Sequence, residues 1–154
     1  MSRTRALLLL LLCLSVVIAG CGSSPREVTK AQYQQELTRL GTNLTNLGSE
    51  VGRSIDIATF NQNVQDLQDG LDDASHDLKG LKPPANVRDA NDRLATAFSE
   101  FSDRLEAVKE ARRQSIFKAR DELRRVSTSA PIKEGRAAVH ELRQQGYDVS
   151  QLSL

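Results

Sequence analysis

Four side chains in this 154-residue chain have types suited to covalent or metal chemistry: the thiols of Cys13 and Cys21 and the imidazoles of His76 and His140. The step from Asp73 to His76 puts a carboxylate three residues before an imidazole, on one face of a helix. Helical di-metal sites use that step twice. Ala137 stands in the matching place before His140, so half of the constellation is missing. Asp72, Asp73 and His76 are left as a loose metal-ligand candidate, displaced from the apolar seam of Ala74 and Leu78. Solvated aspartates around a surface histidine account for the same residues, and no metal is expected. The chain contains no G-x-S-x-G, phosphate loop, G-x-G-x-x-G or H-E-x-x-H. With no pair of groups set for acid, base or nucleophile work, neither an enzyme nor a cofactor is expected.

The thiols belong to a different chemistry. Residues 1–20 have the three parts of a secretory signal: a basic start at Arg3 and Arg5, an apolar run from Ala6 to about Val17, and small residues at the end. The run is short of the roughly 20 apolar residues of a stable span. It closes on Ile18-Ala19-Gly20-Cys21, an aliphatic residue, two small ones and a cysteine. This pattern resembles the lipobox of bacterial lipoproteins. The resemblance implies removal of residues 1–20 as a signal peptide and attachment of lipid to Cys21. The chain would then be anchored on the extracytoplasmic side of a bacterial cell membrane. Cys13 is the rival site, but bulky Leu12 precedes it where a peptidase needs a small residue. Once Cys13 is lost and Cys21 is lipidated, no disulfide framework is available, and stability must come from packing.

Removing Arg3 and Arg5 changes the formal net charge from +1 to −1, because every acidic residue lies beyond Cys21. A near-neutral chain has no global electrostatic case for nucleic acid. Charge is uneven along it, however. Asp56, Asp66, Asp69, Asp72, Asp73 and Asp77 occur with no Lys or Arg between them. Lys109, Arg112, Arg113, Lys118, Arg120, Arg124 and Arg125 then gather against Glu110, Asp121 and Glu122. These are either two solvated helix faces that compensate each other or, in the second run, a basic surface patch for anionic headgroups or wall polymers. Aromatics are scarce and Trp is absent, which argues against a sugar-stacking platform.

The elements that must carry these residues read as helices. Ser24-Pro25-Arg26-Glu27 has the form of a capping box, predicting a first helix from Pro25. Residues 21–24 would then be a tether lifting the domain no more than roughly 10 Å off the lipid. Tyr33, Leu37, Leu40, Leu44, Leu47, Val51 and Ile55 recur at steps of four and three, and Phe60, Val64, Leu67, Leu71, Ala74, Leu78 and Leu81 repeat the pattern. Between the two, Gly48, Gly52 and β-branched Ile55 and Ile57 predict a break somewhere from Gly48 to Thr59. Lys82-Pro83-Pro84 is a stop, with Pro84 suited to open the next helix.

The third run extends from Val87 through Phe98, Phe101, Leu105 and Val108 to Ile116, Leu123 and Val126. It either bends near Arg113 or projects past its partner. Ser127 to Pro131 ends it, and Ile132, Val139 and Leu142 mark a last helix that stops at Gly146. The tail 147–154 is apolar enough to dock and short enough to be loose. The expected fold is all-α, an antiparallel up-down bundle of three to four helices spanning 25–146. The same spacing also suits an intermolecular coiled coil.

The segment Leu78-Lys79-Gly80-Leu81-Lys82-Pro83-Pro84, leading through Val87 to Leu94, resembles the leucine, di-proline and amphipathic-helix segment of small actinobacterial helical lipoproteins. Asn91 stands where many of those relatives are expected to have histidine, so the resemblance implies fold and compartment and transfers no site. The function expected from the whole is a membrane-anchored, non-enzymatic interaction module that docks on a membrane or cell-wall protein. The alternative is a small-ligand or metal-binding envelope domain. An exposed apolar patch favours the first, and an apolar pocket with a few convergent polar groups favours the second.

Overall fold

The computed structural model describes residues 25–152; the segment read as a signal, the Ile18 to Cys21 motif and Ser24 lie outside them. The described chain is all-α. Its helices are α1 (Lys30–Arg53), α2 (Ile57–Lys79), α3 (Arg88–Arg112), α4 (Ile116–Val126) and α5 (Ala130–Gln144). None is long and apolar enough to cross a membrane.

The first helix begins five residues later than the Ser24 to Glu27 pattern predicts. Thr29 is its N-cap: the Thr29 hydroxyl accepts from the Gln32 amide at 3.3 Å, and the Gln32 side chain accepts from the Thr29 amide at 2.9 Å. This reciprocal pair satisfies two amides that the first turn cannot. Pro25 to Val28 is extended because its backbone has another partner. Strand β1 (Arg26–Glu27) runs parallel to β2 (Leu81–Lys82), with the Arg26 amide on the Gly80 carbonyl at 2.8 Å. Lys82 and Glu27 form an ion pair across the two strands, which holds the Glu27 carboxyl below its usual pKa.

The break between α1 and α2 falls at Ser54–Asp56, inside the predicted window. Asp56 caps α2 by accepting from the Thr59 amide at 2.9 Å, and this bond lowers the Asp56 pKa. Ile55, read as the end of the first apolar run, therefore lies past the helix and is 91% exposed. α1 and α2 are antiparallel: Arg39 pairs with Asp77, and Asn63 donates to the Glu50 carbonyl at 2.9 Å. α3 returns along α2, with Gln68 donating to Glu106 at 3.0 Å. Pro83 and Pro84 turn the chain, although a single 3-10 turn at Ala85–Val87 precedes α3.

The long third run does not project. It ends at Arg112, and Ser115 caps a new helix by accepting from the Lys118 amide at 3.2 Å. α4 and α5 both pack on α3, and Arg93 pairs with Glu141 near the far end. Gly146 adopts φ 77°, where the Tyr147 amide reaches the Leu142 carbonyl at 3.1 Å and the Gly146 amide that of Arg143 at 3.0 Å. These two bonds make a Schellman stop, which needs glycine at the left-handed position.

After that stop the tail docks. Tyr147, Val149 and Leu152 are buried, and Tyr147 meets Tyr33 edge to face at 5.4 Å between centroids. Lys30 sits 4.9 Å over the Tyr147 ring. Gln34 accepts from the Asp148 amide at 2.7 Å, and Thr45 donates to the Gln151 carbonyl at 3.0 Å, so the tail runs alongside α1. A Cβ at Gly41 would stand 2.7 Å from the Gln151 backbone; only glycine allows this approach.

Candidate functional site

α1 packs on α2, whereas α4 and α5 pack on α3, and the space left between α1 and α4/α5 is a cleft of about 480 Å³. That volume lies within the ~300–1,000 Å³ of small-molecule sites. Its apolar wall is built from seam residues: Leu44 and Val51 of α1, Leu67 and Leu71 of α2, Phe101 of α3 and Leu123 of α4. Leu152 of the docked tail also borders it. Gly48 contributes no side chain, and a Cβ built there meets nothing within 4 Å. The residue that reads in sequence as a helix-weakening glycine thus keeps the cleft open.

Polar groups converge on this apolar space from α4 and α5. Arg120, Arg124 and Arg136 all border the cleft, and its lining contains no Asp or Glu. Arg120 donates to the Ser54 carbonyl at 2.6 Å, which ties α4 to the α1–α2 turn. Arg124 pairs with Asp121 at 3.4 Å in an exposed position, an ion pair of small energetic worth. Thr45, Ser127, Thr128 and Gln151 complete the polar part.

The seven basic residues singled out in the sequence do not border one common depression. Lys109, Arg112 and Arg113 border a separate depression shared with Glu106 and Glu110. There Lys109 pairs with Glu106 at 2.8 Å and Arg113 with Glu110 at 3.0 Å. Lys109, with Gln68, also draws the Glu106 pKa below its usual value. Lys118 donates to Gln114 and Arg125 pairs with Glu122 at 3.0 Å. The helix break at Arg113 divides the run, and the acids at helical spacing compensate much of it. Arg120 and Arg124 alone of the seven reach the cleft, where Arg136 from the next helix joins them. Arg136 escaped the sequence reading because it lies outside the basic run; its place four residues after Ile132, on the same face of α5, was the available signal.

Asp72, Asp73 and His76 sit on the exposed side of α2. Among the described residues no three His, Cys, Asp or Glu side chains are grouped to hold a metal ion. The acidic run has other occupations: Asp56 caps α2, Asp66 accepts from Gln62, Asp69 accepts from Gln65, and Asp77 pairs with Arg39. His140 is exposed and its ring contacts Gln144 at 3.0 Å.

A buried polar pair lies apart from the cleft. Asn91 is fully buried, accepts from the Tyr33 hydroxyl at 3.1 Å and donates to the Leu78 carbonyl at 3.1 Å. It joins α1, the end of α2 and α3 through one side chain. Burial, followed by the neighbouring Tyr147 and Asp92, raises the Tyr33 pKa well above that of a free tyrosine, so the hydroxyl stays a donor. No family model, curated protein or solved structure matches the chain.

Proposed function

We propose that this chain is a membrane-anchored, non-enzymatic lipoprotein of the bacterial cell envelope whose helical domain binds a small apolar ligand between α1 and α4/α5. The cleft of about 480 Å³ carries this reading: it is apolar within, polar on one side and bordered by four helices besides α1. The helix pairings support an up-down bundle in which α4 and α5 in tandem make the fourth column. The anchor rests on the lipobox resemblance at Ile18 to Cys21. Placement on the extracytoplasmic side of the membrane follows from the same resemblance.

Ligand binding is tested by thermal unfolding with a panel of apolar compounds that carry neutral or anionic heads. A ligand confined to the folded state adds about 2.7 kcal/mol at 100 times its dissociation constant. Stabilisation by at least one compound, lost in Gly48→Phe, is the expected result, since a phenyl group there fills the mouth of the cleft. No shift across the panel, or an unchanged shift in the variant, overturns the reading.

A second reading, docking on a membrane or cell-wall protein, is favoured by two large apolar side chains. Ile55 is 91% and Phe117 75% exposed. Both lie toward the end of the molecule where α1 meets α2 and α3 meets α4. Crosslinking that depends on these two residues separates this reading from the first.

A further inference from the structure

We infer that the ligand of this cleft is a single-chain amphiphile with an anionic head, its chain lying on the Leu44, Val51, Leu67 and Leu71 wall and its head at Arg120 and Arg124. The inference rests on the ligand-binding reading above and adds to it the chemistry of the head. All charged residues bordering the cleft are arginines, contributed by two successive helices, and no carboxylate stands among them. A cleft bordered by one sign of charge over low-dielectric walls focuses its field on the opposite charge.

Each guanidinium carries five N–H donors in a planar fork that matches a carboxylate. The bond from Arg120 to the Ser54 carbonyl engages part of that fork and orients the rest. The Asp121 partner of Arg124 is 61% exposed, so a carboxylate approaching from the cleft competes with a solvated ion pair. Arg136 lies beside the same space and adds its charge to the field, whatever else its side chain contacts. A neutral head would make less use of the Arg120 and Arg124 donors, and a cation would be repelled. The apolar wall accepts a hydrocarbon chain, and the arginines favour a carboxylate or an equivalent anion at its head.

Calorimetric titration of the lipid-free domain, residues 22–154, with dodecanoate, dodecanol and dodecyltrimethylammonium tests this, the two ionic compounds below their critical micelle concentrations and dodecanol below its solubility limit. All three share one chain and differ in head charge. Dodecanoate is expected to bind at least tenfold more tightly than dodecanol, with the cation weakest. In Arg120→Gln/Arg124→Gln the ratio of dodecanoate to dodecanol affinity should fall to within about twofold. Arg124→Gln alone, at a side chain 77% exposed and hence safe for folding, should lower the preference at least threefold. Equal affinity for dodecanoate and dodecanol, or a preference that survives both variants, overturns the anionic-head inference and leaves the ligand-binding reading standing. Failure of all three compounds to bind overturns both.

Discussion

Asn91 shows how one residue can hold a helical domain in register. Leucine packing is tolerant of small shifts, but a buried amide that accepts from Tyr33 and donates to both Leu78 and Asp92 admits few arrangements. Asn91→Leu would leave the Tyr33 hydroxyl and the Leu78 carbonyl buried without these partners. Each such group costs about 1–3 kcal/mol. Urea denaturation should show a loss in that range or above it for Asn91→Leu and a smaller loss for Tyr33→Phe. The double variant should fall short of the sum, because the two share one bond. Full additivity would remove Asn91 from this role. Sequence alone marked Asn91 as a departure from a resemblance; its place four residues after Val87 and three before Leu94 puts it on the apolar seam, but its partner Tyr33 lies 58 positions earlier and leaves no local trace.

At the scale of the element, two of the three glycines of α1 have opposite duties. Gly41 lies against the Gln151 backbone of the docked tail, and Gly48 faces open space. Alanine at Gly48 should raise stability by up to about 1 kcal/mol, the helix-propensity difference. At Gly41 the same gain is opposed by overpacking of about 1–3 kcal/mol, for a net loss of up to about 2 kcal/mol. Denaturant midpoints of the two variants check both signs, and equal stabilisation would mean that the tail yields at Gln151. The helices themselves were largely legible. Apolar steps of four and three marked their seams, the window from Gly48 to Thr59 contained the first break, and Gly146 marked the last stop. The start of α1 was misread because two capping patterns lie five residues apart. Thr29 and Gln32 cap the helix while the backbone of Arg26 and Glu27 pairs with β2, a partner more than 50 positions away.

For the molecule as a whole, the proposed anchor sets where the cleft works. The short span from Cys21 to the strand at Arg26 would keep the domain near the lipid surface, a source of apolar and amphiphilic ligands. Replacing Cys21 by Ala should abolish metabolic lipid labelling and shift the protein from the membrane fraction to soluble or misprocessed forms. Normal labelling of the variant would refute the assignment.

The sequence by itself determined the helical class, the apolar seams and most of the punctuation, because helix propensity, caps, prolines and glycines act over a few residues. The cleft was decided by tertiary structure. It exists because α1 packs on α2 while α4 and α5 fold back on α3, a choice set by pairings across the whole chain. The same packing separated the basic run into compensated pairs and brought Arg120 and Arg124 beside Arg136. It also seated Tyr147 against Tyr33. Contacts between residues far apart in sequence leave no periodic trace, so the seams were visible and the space between them was not.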